Sequence, residues 1–156
     1  VEKLVNDLIK SGELENRTSI IGHTYPFVYY TIETGEDGIE FPPPEYFSRN
    51  EQGIFNSIDM NLFPNSKQTL NHLKYQLTSS TSKEKFDFGK NTIEPNNLDL
   101  DKPYYKVYKP IFNLDSTGVY LEIDYHHQIY GDGRAFVFEL KNGVWENVKF
   151  IPTWIR

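Results

Sequence analysis

The chain opens on Val1, Leu4, Val5, Leu8 and Ile9, apolar residues spaced i, i+3, i+4, i+7 and i+8. That spacing lays one apolar stripe along a helix. Gly12 follows Lys10 and Ser11, where a left-handed cap is expected, so an amphipathic helix is predicted over residues 1–11. Tyr25–Glu33 is rich in aromatic and β-branched residues and predicts a strand, with Pro26 at its entry. Gly35-Glu36-Asp37-Gly38 reads as a turn, and Pro42-Pro43-Pro44 as a stiff connector. Residues 54–62 alternate weakly, in the manner of a strand. Phe63-Pro64-Asn65-Ser66 then offers a helix entrance, and Leu70, Leu73 and Leu77 mark one face of a second helix over 66–79. The polar runs 78–83 and 96–102 read as loops.

From Tyr105 onward the period becomes two. Val119, Leu121, Ile123 and Tyr125 point one way; Tyr120, Glu122, Asp124 and His126 point the other. Phe136, Phe138 and Leu140 line the next strand. Turns are expected at Asp115–Gly118, Gly131-Asp132-Gly133 and Asn142-Gly143, which makes the last third a β-meander. The Asn142-Gly143 hairpin admits two registers. A two-residue loop sets Glu139 opposite Glu146, an unfavourable pair of like charges. A three-residue loop with a bulge at Gly143 avoids that opposition and is the register expected. Trp145 and Trp154 stand nine residues apart and face opposite sides if the strand is regular. No repeat or linker divides the chain, so residues 1–156 form a single domain. The fold class is α+β, an antiparallel sheet covered on one face by two amphipathic helices.

Composition adds a functional frame. Aromatics make up 15% of the 156 residues, enough for a core built on rings and for an aromatic recognition surface. The formal net charge is −6, and its distribution is uneven. Residues 18–66 carry Glu33, Glu36, Asp37, Glu40, Glu45, Glu51 and Asp59 against Arg49 alone. Such a run disfavours nucleic acid, which needs clustered Lys and Arg, and suits solvent or a basic partner. There is no cysteine, which excludes disulfides and thiolate chemistry. No apolar run has the ~20 residues of a transmembrane span. Because the chain opens on Val1, removal of a leading segment is expected, and a signal peptide is one such segment.

Ionisable groups gather in one stretch, and Glu122, Asp124, His126, His127, Asp132 and Arg134 form a candidate surface site. Glu122, Asp124 and His126 share a strand face, so an acid, a base or metal donors are conceivable there. If Val119, Leu121 and Ile123 face the core, however, this row is the solvated side of the sheet, which accounts for the alternation in full. Neighbours on that face lie about 6.5–7 Å apart, whereas zinc donors sit about 2.0–2.2 Å from the ion. No specific metal, cofactor or catalytic residue is therefore expected. Dinucleotide, Walker, HExxH, EF-hand and G-x-S-x-G patterns are missing. The aromatic runs Tyr25–Tyr30 and Tyr104–Tyr108 add a binding reading, by stacking on a sugar or anchoring a protein.

Lys109-Pro110-Ile111-Phe112, Val119–Ile123, Gly131-Asp132-Gly133, Asn142-Gly143-Val144-Trp145 and Trp154-Ile155 carry a resemblance, together with the helix Phe63–Leu77. Over roughly 60% of the chain, residues 63–156, the pattern resembles a family of bacterial exported or lipoprotein-like proteins of unknown function. Members of that family often place a cysteine near the glycine pair, where this chain has Tyr125-His126-His127-Gln128. The resemblance implies an exported or cell-surface location and no particular activity. Three functions follow as expectations. The foremost is a non-catalytic extracytoplasmic module binding a protein or glycan. The others are a cytoplasmic immunity or inhibitor protein whose acidic segment meets a basic partner, and a small hydrolase or metal enzyme using Glu122, Asp124 and His126.

Overall fold

A computed structural model describes residues 1–27, 61–79 and 83–155. Helix α1 (Glu2–Ser11) forms where the stripe predicts it and buries Leu4, Val5 and Leu8. Gly12 ends it in the left-handed region at φ 83°. The Gly12 amide donates to Ile9 O, and the Glu13 amide donates back to Leu8 O at 3.0 Å, a Schellman closure that satisfies the last carbonyls. Helix α2 (Lys67–Ser79) starts at the expected entrance, where Ser66 Oγ accepts the Thr69 amide at 3.1 Å. Among its described side chains, Thr69, Leu73 and Leu77 are buried, one per turn.

The strands are β1 (Ser19–Tyr25), β2 (Glu84–Lys85), β3 (Thr92–Ile93), β4 (Tyr104–Tyr108), β5 (Ile111–Phe112), β6 (Gly118–His127), β7 (Tyr130–Lys141) and β8 (Val144–Ile155). They form one sheet in the order β2-β1-β4-β6-β7-β8, with β3 beside β1 and β5 beside β6. The sheet is mixed and mostly antiparallel: β1 runs parallel to β4 and β3, and β4 through β8 pair antiparallel. The α+β class and the C-terminal meander are thus present.

Three expectations change. The first is an added strand: β1 runs over Ser19–Tyr25, ahead of the aromatic run, while residues 28–33 of the expected strand lie outside the described residues, as do the Gly35–Gly38 turn, the proline triplet and most of 54–62. Gly22 disguises β1 as a break. It is needed there because a Cβ would stand 2.9 Å from Thr92 Cγ2 on β3.

The second change concerns layering. Val119, Leu121, Ile123, Phe136 and Phe138 pack with Leu4, Val5 and Leu8 of α1. The alternate residues Tyr120, Ala135 and Val137 pack with Leu73 and Leu77 of α2. The helices therefore cover opposite faces, and β6 is buried continuously from Gly118 to Asp124.

The third change is the hairpin register. Lys141 pairs with Val144 and Glu139 with Glu146, leaving Asn142 and Gly143 as a two-residue loop at φ 51° and 78°. That is the backbone an Asn-Gly pair favours. The like-charge opposition is relieved by Lys141, whose Nζ lies 2.8 Å from Glu139 Oε2 and 3.6 Å from Glu146 Oε2. Hydrogen bonding to Glu139 raises the Lys141 ammonium above its ordinary value. Farther along, β8 carries an extra residue at Val148 and another at Thr153 relative to β7. Each bulge reverses facing, so the two cancel. Trp145 stays on the α1 face, near Phe112 with ring centroids 6.5 Å apart, and Trp154 lies on the α2 face.

If Lys141 is what makes this register tolerable, Lys141→Met should lower the melting temperature, and Lys141→Met/Glu146→Gln should recover most of the loss. Urea and thermal melts check this; an unrescued double variant would show that the glutamates do not oppose one another.

Candidate functional site

The polar row of β6 is not on a wet face. Glu122 is 0% exposed and Asp124 3% exposed, because α2, Phe63 and Phe27 lie over the side that the alternation left for solvent. Removing carboxylates from water costs several kcal/mol each unless hydrogen bonds replace the solvent. Those bonds come from β6 itself for Glu122 and from other strands for Asp124. Tyr120 Oη donates to Glu122 Oε2 at 3.1 Å. Tyr108 Oη on β4 donates to Asp124 Oδ2 at 2.7 Å, and Trp154 Nε1 on β8 donates to Asp124 Oδ1 at 2.9 Å. Hydrogen bonds to such a group contribute about 1.5–3 kcal/mol each, enough together to offset much of the burial. One carboxylate thereby joins β4, β6 and β8.

Gly131 and Gly133 take their meaning from the same contact. They are not a turn. The β6–β7 hairpin turns at Gln128-Ile129, with Gln128 at φ 53°, and both glycines lie within β7 opposite His126 and Asp124. The Trp154 indole lies flat against them. A Cβ on Gly131 would stand 2.7 Å from Trp154 Cη2, and one on Gly133 would collide with Trp154 Cδ1 and Nε1 and with Thr153 Oγ1. The glycines clear the floor on which the indole rests, and Asp124 holds it there.

Around this point rings collect at one end of the sheet. His126, with a third of its side chain exposed, has Nε2 3.9 Å from Asp124 Oδ2. Its ring stacks on Tyr104 at 5.1 Å and 19°, and meets Trp154 at 5.7 Å and 46°. Lys106 Nζ lies 4.7 Å from the Tyr25 ring centre and 4.8 Å from that of Tyr108, a cation–π geometry. Tyr25, Tyr104, Lys106, His126 and Trp154 are all half-buried. Burial pushes the Tyr25 and Tyr104 hydroxyls above the ordinary tyrosine value, so they remain neutral donors at physiological pH.

The six sequence-derived candidates do not form one site. Glu122, Asp124 and His126 share the α2 face. His127, Asp132 and Arg134 lie on the α1 face, since Asp132 pairs with Tyr125 and His127 with Tyr130. Asp132 grips Arg134 with both oxygens, and Arg134 Nη1 donates to Glu13 O at 3.2 Å. That pair raises the guanidinium further and ties the loop after α1 to β7. Among the described residues no group of three or more His, Asp or Glu side chains could hold a metal. None of their helices is long and apolar enough to cross a membrane. The seven acids of the acidic run all lie outside the described residues. What the row reading missed is Tyr108 and Trp154 as partners of Asp124. The signals available were the paired glycines and the aromatic run at Tyr104–Tyr108.

Comparison with family models, curated proteins and solved structures gives no match. The functional reading therefore rests on this geometry.

Gly133→Ala should dislodge the indole, because the Thr153 hydroxyl and the Trp154 ring leave no room for a methyl. The expected result is a loss of about 1–3 kcal/mol and a red-shifted tryptophan emission. Unchanged emission would place Trp154 elsewhere.

Proposed function

We propose that this protein is a non-catalytic binding module, taking a glycan or a protein segment against the aromatic end of its sheet. The observation that carries the reading is the fixing of Trp154 by Asp124 and the two glycines, beside the stacked Tyr104–His126 pair. Rings held in place before binding lose little entropy when a ligand lands on them. Half-exposed aromatic side chains also give both an apolar surface and polar edges, which suit a sugar ring or an anchoring side chain. An extracytoplasmic setting belongs to the same proposal, as what the resemblance across residues 63–156 implies.

The catalytic alternative has less support. Glu122 and Asp124 are engaged by Tyr120, Tyr108 and Trp154, an arrangement that orients rings. The basic-partner alternative depends on carboxylates outside the described residues.

The test uses a Trp145→Phe background, in which fluorescence reports Trp154 alone. Titration with a glycan library and with peptides should yield a ligand that changes this emission, and Tyr104→Ala should weaken that ligand about tenfold or more. A ligand that binds equally well after Tyr104→Ala and His126→Ala would put the binding surface elsewhere.

A further inference from the structure

A second candidate site adjoins the aromatic end but is lined by none of its residues. A cavity of about 250 Å³ opens between α2 and the β4–β5 connection, with Phe27, Leu77, Pro110 and Ile111 as apolar walls and Glu84 and Lys109 as the charged groups. Its frame is held at several points. The Lys109 amide donates to Tyr25 O at 2.9 Å. The Gln76 side chain of α2 accepts the Phe112 amide at 2.8 Å and donates to Phe112 O at 2.7 Å. The cavity is therefore shaped before any ligand arrives.

Lys109 is the unusual member. It is 8% exposed, and lysine is mostly found exposed, its burial calling for a partner. An ammonium carries three N–H donors. Among the described residues its one acceptor is Glu84 Oε1, at 2.9 Å. Glu84 is itself loosely placed for such a role, its side chain 59% exposed on a two-residue strand. A buried cation thus faces an apolar cavity, with a single exposed carboxylate reaching in to meet it.

We propose that this cavity binds a small apolar carboxylate, whose head displaces Glu84 from Lys109 Nζ and whose body lies against Phe27, Leu77 and Ile111. One monoanion replaces another, so the charge balance at Lys109 is kept; a phosphate dianion would leave surplus negative charge beside Glu84. The volume holds roughly eight water-sized groups at about 30 Å³ each, which limits the ligand to a short acyl chain or a single ring with a carboxylate arm.

Phenylacetate and hexanoate are the probes, with phenylacetamide as the neutral control, followed by amide chemical shifts and calorimetry on the full chain. Saturable binding of at least one acid is expected, with shifts at Leu77, Lys109 and Ile111 and an affinity about tenfold above that of the amide. Glu84→Gln, which weakens the internal competitor, should tighten acid binding severalfold. Lys109→Met should lose it. Should Lys109→Met fail to fold, Glu84→Gln still decides. The proposal is overturned by equal binding of acid and amide, by Glu84→Gln leaving affinity unchanged or weaker, or by no saturation of wild type and Glu84→Gln at about 10 mM.

Discussion

A sheet covered on both faces has nowhere to send its polar side chains, and the placement of Asp124 follows from that constraint. With α1 on one side and α2 on the other, the central strand β6 must bury carboxylates that its alternation assigns to solvent. Asp124 meets the constraint through a hydroxyl from β4 and an indole from β8. The consequence spreads outward: Trp154 must lie flat over β7, so Gly131 and Gly133 must lack side chains, and His126 and Tyr104 stack beside it. A burial requirement in the middle of the sheet thus becomes an ordered set of rings at its end.

The edge strand β8 shows how local sequence serves this arrangement. Its two bulges let a strand with Pro152 in it follow β7 while keeping Trp145 and Trp154 on opposite faces. Trp145 closes the α1 side near Phe112, and Trp154 reaches Asp124. The hairpin that begins β8 follows the same logic. Asn142-Gly143 favours a tight loop strongly enough to set two glutamates opposite each other, and Lys141 compensates.

Much of the architecture is legible in the chain, for identifiable reasons. The stripe from Val1 to Ile9 and the glycine after it specify α1 because helix period and cap chemistry agree. The Ser66 entrance and the leucines do the same for α2. The meander shows through its alternation. The hairpin register is hidden, because the charge opposition is visible at Glu139 and Glu146 while its relief by Lys141 depends on a rotamer. β1 is hidden because burial on both sides removes alternation and Gly22 mimics a break. The site is half legible. Glu122, Asp124 and His126 do share a face, but period two cannot say whether a second layer covers it. Asp132 and Arg134 are near in sequence and on the other face, a distinction that only register provides. The glycine pair, by its spacing, reads as a turn until the ring above it is seen.

The central claim is that Asp124 fixes the Trp154 indole, and solvent exchange of the Trp154 Nε1 proton measures it most directly. The Trp145→Phe variant leaves a single indole resonance. In wild-type context at Asp124 that proton should exchange slowly, protected by its hydrogen bond to a buried carboxylate, and Asp124→Ala should bring it to the rate of an exposed indole while the amides of α1 stay protected. An indole proton that already exchanges freely with Asp124 intact would contradict the account.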